Sequence, residues 1–501
     1  MEMNFDLLKG EEKVVTEKGA IGYKTTGTKL LDASFKVPIF RNNLSVDLWE
    51  TYIKEAYEED PVHTLKFILY LRDVRGGIGE RSAFRNIIVN MAYDPKHAEL
   101  AKTIMKEIDI AEYGRWDDVI DIGFRAEKLL PIALEKIREQ FNKDSGDMLI
   151  DKPISLLAKW LPSERTSSAE SRRRAKVIAK FLGMSFKEYR RALVARRKYI
   201  DVVEQRMSCN DWSGINYEHV PSKANLVYKN AFLEHDEERR RQYLLNVANG
   251  NAKINAGALF PYEIVRDYWN KHEEDATMEE LWKNLPAPKK QRNVLVVRDG
   301  SGSMTWSGLN NGLTPMDIGD GLTLYMAEHN TGSYKNKFIS FGSRSVVVDL
   351  SKVDGLYRRL VTLRRRFTDC GTTNLEGVFN LVLDTVIENN VKQEDIPTLL
   401  FISDMEFDGA LGNVSAVLMK HIAKAWKAEG YDLPKVVFWN VASRSGAIPM
   451  KDNGNGLILV SGYSTAIANM VLDDELDPWK ALVKVLDVPR YACVDKLLSR
   501  F

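Results

Sequence analysis

Side chains that carry oxygen atoms follow predicted strands at three places in the second half of the chain. The sequence Asp-Gly-Ser-Gly-Ser occupies residues 299–303, one residue after the apolar run 294–297. Asp404 ends a second apolar run, residues 399–403, and Gly-Thr-Thr-Asn at residues 371–374 precedes a predicted helix. Because ligands bind outside the carboxyl ends of the strands in open α/β sheets, we expect these three loops to meet.

Only hydroxyl and carboxylate oxygens are available within these loops. Magnesium prefers near-octahedral oxygen coordination at about 2.0–2.1 Å and usually keeps waters, so such a site would leave room for an outside ligand. Zinc and copper favour imidazole or thiolate ligands and are poor candidates. The loops therefore predict a site for Mg²⁺ or another hard divalent cation. The alternative is a flexible turn in which Gly and Ser serve only the backbone geometry.

The arrangement resembles the metal-ion-dependent adhesion site of von Willebrand factor A domains, whose pattern is D-x-S-x-S, then a Thr, then an Asp after a later strand. This resemblance implies that the metal is held by five residues, some of them through water: Asp299, Ser301, Ser303, Thr373 and Asp404. Thr372 is a rival for Thr373. The alignment of residues 371–375 with the family's G-G-T-D-L favours Thr373, although Thr372 then replaces a glycine.

Two different hydrophobic patterns divide the chain. From residue 48 to about 284 the apolar residues recur at helical spacing, and paired helices stacked on one another are expected. Two prolines in residues 285–290 then disfavour helix, and strands alternate with helices beyond them, with a hairpin at Phe338–Leu350. We predict a helical, HEAT-like repeat domain over residues 1–288 and a Rossmann-like A domain with a mostly parallel sheet over residues 289–501.

A basic segment lies inside a chain that is neutral overall. The 501 residues include 71 Lys and Arg against 70 Asp and Glu, so no net field favours a polyanion. Between Arg165 and Lys198, however, twelve residues are basic and two are acidic. A phosphate backbone could lie along such a helix face. The predicted RNA-binding residues are Arg172, Arg173, Arg174, Lys176, Lys187, Arg190, Arg191, Arg196, Arg197 and Lys198.

The alternative for this segment is a solvated helix face that pairs with acidic neighbours. Tyr189 and Tyr199 could stack on bases, but an aromatic residue in an amphipathic helix is more often part of the core. Nucleic-acid binding predicts an affinity that falls steeply with salt, at a log–log slope of roughly −0.7 per phosphate for single strands, and a structural helix predicts no such slope.

Motifs in the helical half resemble the TROVE-like family related to Ro ribonucleoproteins. Residues 72–81 match its R-D-x-R-G-G-x-G-E-R signature. Residues 113–118, 158–163 and 253–259 are similar to further motifs of proteins from plants, bacteria and phages that join such a half to a von Willebrand A domain. The resemblance implies RNA binding by the helical half. No G-K-[ST] follows the glycines at 76–79, so no nucleotide cofactor is expected. The flanking arginines could hold a phosphate, but the expectation is that they pair with Asp73 and Glu80.

Other functional classes find no support in the sequence. The seven histidines form no H-E-x-x-H pair and accompany no nucleophile motif, so we expect no enzyme. Three scattered cysteines indicate neither a disulfide framework nor a zinc site, and no apolar run is long enough to span a membrane, so a cytoplasmic protein is expected. The predicted function is binding of small or structured RNA by the helical domain beside a Mg²⁺ site. One alternative is a metal-dependent adaptor, in which an acidic group of another protein completes the coordination of the metal. The other is a structural component of a virion or ribonucleoprotein that itself binds no RNA.

Overall fold

The computed structural model describes residues 12–40, 46–290, 294–309, 312–409, 417–452 and 454–499. The chain folds into two compact units. The described parts of Met1–Asn42, Glu55–Phe67 and Ala256–Val488 form one, here called the sheet unit. Those of Asn43–Lys54, Ile68–Asn255 and Pro489–Phe501 form the other, the helical unit. The predicted boundary after residue 288 therefore lies within the sheet unit, and the chain returns to the helical unit at Pro489.

The helical unit contains short and medium-length helices around an apolar interior. They are Arg81–Tyr93, Ala98–Glu107, Ile110–Tyr113, Trp116–Arg125, Leu130–Leu149, Leu157–Trp160, Ala169–Phe181, Phe186–Tyr199, Val203–Ser208, Ser222–Val227, Lys229–His235, Glu237–Ala248 and Cys493–Leu498, with a π-helix at Trp49–Ile53. Lys54–Glu59 and Pro61–Arg72 span the points where the chain passes between units. Helices therefore dominate the first half, as the periodicity predicted.

The sheet unit is built on a six-stranded, mostly parallel sheet. Its strands are β3 (Val294–Asp299), β4 (Lys337–Phe341), β5 (Ser345–Asp349), β6 (Thr398–Ser403), β7 (Val436–Asn440) and β8 (Leu457–Ser461), after β1 (Lys13–Val15) and β2 (Ile21–Tyr23) of a separate hairpin. The order is β5-β4-β3-β6-β7-β8, and only β5 runs antiparallel to its neighbour. This confirms the predicted fold class of a helical region followed by a mostly parallel sheet, and the hairpin at residues 338–350.

Helices cover the sheet, as the unbroken apolar strands require. They are Pro261–Lys271, Ala276–Lys283, Pro315–His329, Leu356–Arg366, Leu375–Glu388, Leu418–Ala428, Ala468–Val471 and Pro478–Leu486, with Lys29–Lys36 from the N-terminal part. Phe379 and Phe438 stack on Phe401 of the central strand, with ring centroids 5.3 and 5.4 Å away. Helix Pro315–His329 contacts both β3 and helix Pro261–Lys271. Gly321 permits the second contact, since a Cβ there would lie 2.7 Å from the Tyr262 nitrogen.

The hairpin β1–β2 adds strand structure to a region that was predicted to be helical. Its Tyr23 amide donates to the Ile448 carbonyl (2.8 Å), and the Thr16 hydroxyl donates to the Phe407 carbonyl (2.6 Å). These partners are about 400 residues away in sequence, so tertiary contacts and not local periodicity fix the hairpin on the sheet unit. No helix among the described residues is both long and apolar enough to cross a membrane.

Candidate metal centre and nucleic-acid interface

The register of two parallel strands brings the predicted acidic ligands together. Arg298 of β3 lies opposite Ile402 of β6, so Asp299 and Ser403 end their strands side by side and Asp404 follows immediately. The Ser403 hydroxyl donates to Asp299 Oδ2 at 2.6 Å. Both aspartates are fully buried. The expectation that ligands lie at the carboxyl ends of the parallel strands therefore located two carboxylates that are 105 residues apart in sequence.

The Asp-Gly-Ser-Gly-Ser loop folds back over Asp299 and directs its hydroxyls toward Asp404. The Ser301 amide donates to Asp299 Oδ1 at 2.9 Å, and the Ser301 and Ser303 hydroxyl oxygens lie 3.0 Å apart. The Ser303 hydroxyl donates to Asp404 Oδ1 at 3.3 Å. Four of the five predicted ligands are thus joined by consecutive hydrogen bonds, one from a backbone amide and two between side-chain oxygens.

The third loop closes on the first through its backbone. The Gly302 amide donates to the Gly371 carbonyl at 2.9 Å, and the Cys370 amide donates to the Gly300 carbonyl at 3.1 Å. A Cβ at Gly302 would lie 2.7 Å from the Cys370 oxygen, so glycine is needed for this approach. The loop buries Thr373, whose hydroxyl has no hydrogen-bond partner among the described residues. Thr372 is exposed, which favours Thr373 over its rival.

Burial disfavours the ionised form of both carboxyl groups. It raises the pKa of Asp299 above its ordinary value, against hydrogen bonds from Ser301 and Ser403 that lower it. Burial and the nearby Asp299 charge raise the pKa of Asp404 to about 7, and Arg444 opposes this rise. A divalent cation between them would supply the missing positive charge.

Arg444 and Glu406 belong to the surroundings of the site, and the sequence reasoning did not find them. Arg444 Nη1 lies 3.2 Å from Asp404 Oδ2, and its other nitrogens bind both carboxylate oxygens of Glu17 at 2.7 and 2.8 Å. Glu406 is buried and accepts from the amides of Arg444 and Ser445, each at 2.8 Å. Arg444 follows the carboxyl end of β7, so the same expectation, applied to the loop after that strand, would have indicated it.

The donor set fits a hard cation. Among the described residues no group of three or more His, Cys, Asp or Glu side chains could hold a metal ion, so the candidate centre depends on hydroxyl oxygens as well as two carboxylates. Asp299, Ser301, Ser303 and Asp404 offer that mixture at one edge of the sheet, and the loop that closes on them carries the buried Thr373 hydroxyl. Oxygen ligands of this kind, with waters completing the shell, match the preference of Mg²⁺.

The basic segment forms two capped helices in the helical unit. Ser168 caps Ala169–Phe181, and Ser185 with Glu188 forms a capping box on Phe186–Tyr199. Tyr189 is buried and its hydroxyl donates to the Pro162 carbonyl at 3.0 Å, so this aromatic is core and not a stacking surface.

Two of the predicted RNA-binding arginines point into the protein. The Arg196 guanidinium carbon lies 3.7 Å from the centre of the Phe141 ring, and the side chain is buried. Arg197 donates to the carbonyls of Ala158 and Leu161 at 2.8 Å each. Helical spacing alone cannot show that an arginine satisfies buried carbonyls, and we therefore remove both residues from the candidate surface.

Other arginines of the segment pair with local partners. Arg173 and Arg174 both bind Glu170, whose pKa these hydrogen bonds lower to about 2. Arg172 donates to two backbone carbonyls of the preceding turn at 2.5 and 2.8 Å, and Arg190 binds a glutamate at 2.6 Å. Pairing with neighbouring groups, which is the alternative to RNA binding, therefore accounts for some of the arginines in the basic segment.

A stripe of cations remains on the solvent side of both helices. On Phe186–Tyr199 the exposed cations stand at i, i+4 and i+11. On Ala169–Phe181 the exposed cations outside the locally bonded arginines are two lysines at i and i+4. The stripe, called here the basic stripe, consists of Lys176, Lys180, Lys187, Arg191 and Lys198. Four of these five lie in the set predicted from the sequence, and Lys180 joins them from the same basic segment.

The R-D-x-R-G-G motif serves the interior of the helical unit. Arg72 is buried and its Nη2 lies 2.7 Å from Asp118, which also accepts from Arg85 at 2.6 Å. Asp73 is buried and binds Arg490, whose Nη2 donates to it at 2.8 Å. The expected pairing of the motif's arginines with its own Asp73 and Glu80 is wrong in this respect. Partners distant in sequence are better placed than neighbours on the same turn.

Comparisons with known proteins find relatives along most of the chain. Models of two domains of unknown function match it, DUF2828 over residues 133–297 and DUF7788 over residues 293–484. "Uncharacterized protein L728" of Acanthamoeba polyphaga mimivirus is 27% identical over 512 residues, which covers 94% of this chain and 87% of that protein. The crystal structure of the RO (RSR) protein of Deinococcus radiodurans is 12% identical with a TM-score of 0.41, and the match covers 89% of this chain and 94% of that chain.

Proposed function

We propose that the sheet unit binds Mg²⁺, or another hard divalent cation, through Asp299, Ser301, Ser303, Thr373 and Asp404. The cation would act as a docking point and not as a catalyst, with an open coordination position for an anionic group of a binding partner. The observation that carries this proposal is the buried Thr373 hydroxyl, which lacks a hydrogen-bond partner among the described residues.

An unsatisfied buried hydroxyl costs about 1–3 kcal/mol. The neighbouring Asp299 and Asp404 are buried as well, and burial raises the pKa of each. Both costs fall when a cation accepts the hydroxyl oxygen as a ligand and neutralises the carboxylates. A loop that served only as a flexible turn would not require this cluster.

Calorimetric titration of the full chain with Mg²⁺ tests the metal site. Ser303→Ala removes one hydroxyl ligand from a half-buried position, so we expect an affinity loss of about tenfold with an unchanged fold. Ser307→Ala removes an exposed hydroxyl four residues further on and serves as the matched control. Equal Mg²⁺ affinity in the wild type and Ser303→Ala would contradict the assignment.

RNA binding by the helical unit is the second proposed activity, and the basic stripe favours it. Five exposed cations on two helices could contact about four phosphates, which predicts a log–log salt slope near −3 for single-stranded RNA. The double variant Lys187→Glu/Arg191→Glu reverses two charges at i, i+4 on this face. We expect it to weaken retention of a fluorescent single-stranded RNA at least tenfold.

The control for that variant is Lys102→Glu/Lys106→Glu, which makes the same change at i, i+4 on helix Ala98–Glu107 of the same unit. Equal losses in the two double variants would indicate general charge and not a surface. A metal-dependent adaptor predicts something different, namely capture of an acidic protein that EDTA abolishes and the stripe variant leaves intact. Salt-sensitive RNA retention that EDTA does not change would favour the helical unit as the RNA site.

A further inference from the structure

A pocket of about 340 Å³ lies beside the candidate metal centre, within the sheet unit. Thr305 lines it two residues after Ser303, and Cys370 lines it three residues before Thr373. Helix Pro261–Lys271 forms another wall. The volume is at the lower end of the range for small-molecule sites, about 300–1,000 Å³, and it exceeds what a metal ion and its waters need.

The charged side chains of the lining are Arg266, Arg364 and Asp317. Arg364 is bound by two carboxylates, since its Nη2 donates to Asp317 at 2.8 Å and its Nε donates to Asp320 at 2.6 Å. Arg266 is therefore the cation of the lining that these two carboxylates do not bind. Both oxygens of the Asp317 carboxylate are engaged, one by Arg364 and the other by the Thr314 amide at 3.1 Å. A ligand rich in acceptor oxygens therefore suits the pocket better than a cationic one.

Thr368 contributes a hydroxyl that lacks a partner. Its Oγ1 is buried and makes no hydrogen bond with any described residue. The preceding backbone is fixed, because the Phe367 carbonyl accepts from the Arg298 guanidinium at 3.2 Å and from the Ser340 hydroxyl at 2.8 Å. Such a hydroxyl would donate to an acceptor oxygen that enters the pocket.

Trp269 and Met316 add apolar surface to a lining that also includes the polar side chains of Asn270, Thr305 and Thr314. The Arg364 guanidinium carbon lies 4.6 Å from the centre of the Trp269 ring, so the indole is held by a buried cation that itself is only 8% exposed. An aromatic surface beside anion-binding groups is suited to a planar base attached to an anionic group.

We propose that this pocket binds a nucleoside monophosphate, either as the free nucleotide or as the phosphorylated end of an RNA chain. Its phosphate oxygens would accept from Arg266 and Thr368, and its base would pack beside Trp269. The site differs from a P-loop, since the donors are side chains from three separate segments. It depends on neither metal binding nor the basic stripe.

Titration of the full chain with ligands that share parts of this chemistry tests the proposal. The probes are UMP, AMP, the unphosphorylated nucleosides, inorganic phosphate and glutamate, measured by calorimetry. We expect each monophosphate to bind at least tenfold more tightly than its nucleoside, because charge-assisted hydrogen bonds are lost without the phosphate. Equal affinity for nucleoside and nucleotide, glutamate competing as well as UMP, or no binding at millimolar concentration would each overturn the proposal.

Variants with matched controls locate the site. Arg266→Gln should weaken UMP binding about tenfold and Thr368→Val severalfold, since each removes a donor to the phosphate. Arg365→Gln and Thr362→Val make the same changes on helix Leu356–Arg366, outside the lining, and should alter the affinity less than about twofold. Equal losses in variants and controls would refute the assignment of the pocket. The comparison of nucleotide with nucleoside on the wild type remains valid if a variant fails to fold.

Two further measurements distinguish the source of the phosphate and the two proposals. A short single-stranded RNA with a 5′-phosphate that displaces UMP better than its dephosphorylated form supports an RNA end, and displacement only by mononucleotides supports a free nucleotide. Lys187→Glu/Arg191→Glu should leave UMP affinity unchanged. Loss of UMP binding in that variant would overturn the pocket as an independent site, whereas loss of RNA retention alone bears only on the basic stripe.

Discussion

Replacing Thr373 by valine should change stability and metal affinity in opposite directions. The Thr373 side chain is fully buried and its hydroxyl has no hydrogen-bond partner among the described residues. Valine keeps the branched shape but removes the polar oxygen, so the protein without metal no longer bears the cost of burying it. A structural hydroxyl that held the loop together would give the reverse result, since its removal would destabilise the fold.

The magnitudes follow from the burial. An unsatisfied buried polar group costs about 1–3 kcal/mol, so Thr373→Val should stabilise the metal-free protein by up to that amount. For a domain of about 150–250 residues each kcal/mol raises the unfolding temperature by about 2–4 °C. In the wild type, Mg²⁺ at 100 times its dissociation constant adds about 2.7 kcal/mol. A tenfold weaker site would lose about 1.4 kcal/mol of that stabilisation at the same concentration.

Thermal unfolding followed by calorimetry, with EDTA and with Mg²⁺, measures both effects in one pair of scans. Thr372→Val is the matched control, because the Thr372 side chain is exposed, and it should change neither scan by more than about 0.5 kcal/mol. The reasoning is refuted if Thr373→Val lowers the unfolding temperature in EDTA. It is equally refuted if the variant keeps the full Mg²⁺-dependent rise.

Three further predictions concern single residues. Partial burial opposes the charged ring of His63, but hydrogen bonds to Asp60 and Asp487 outweigh it and raise its pKa. This contribution to stability is complete below about pH 6.5 and is lost as the pH rises through the raised pKa. His63→Gln should therefore flatten the fall in unfolding temperature above about pH 6.5, and equal slopes in variant and wild type would contradict this. Asp118→Asn leaves the buried Arg72 without its carboxylate and removes one of the carboxylates that bind Arg85, which keeps Asp117 at 2.8 Å. The change should cost the helical unit about 3–5 kcal/mol in urea unfolding, and a loss below about 1 kcal/mol would contradict the role of Asp118 as partner of a buried charge. Gly302→Ala places a methyl group 2.7 Å from the carbonyl oxygen of the facing loop and should weaken Mg²⁺ binding in calorimetry, whereas unchanged affinity would show that the two loops need not touch.

The basic segment shows how far a count of charges can be trusted. Twelve cations against two acids suggested one continuous surface. In the folded unit, Arg196 packs on an aromatic ring and Arg197 satisfies two carbonyls, so the guanidinium groups are part of the interior. The lysines remain outside, because an ammonium group on a flexible stem offers fewer fixed hydrogen bonds for such a role. A surface inferred from sequence is therefore more secure in its lysines than in its arginines.

Local patterns in the sequence determined the types of element and the places where polar residues follow strands. Apolar runs such as residues 399–403 have the period and length of buried parallel strands, and the carboxyl ends of such strands lie at one edge of a sheet. For that reason the sequence alone suffices to group Asp299, Ser303 and Asp404. The same periodicity predicted the helices of the first half, because burial of one face is a local property of the chain.

The tertiary structure alone decided which partners these residues meet. The sequence could not show that Thr373 is buried and Thr372 exposed, that Arg444 reaches Asp404 while bound to Glu17, or that Asp73 pairs with Arg490. It also could not show that residues 256–288 pack with the sheet. Each of these depends on side chains that are far apart in the chain and adjacent in space. Spacing within a segment reports which face is buried, but the identity of what covers that face is set only when the whole chain has folded.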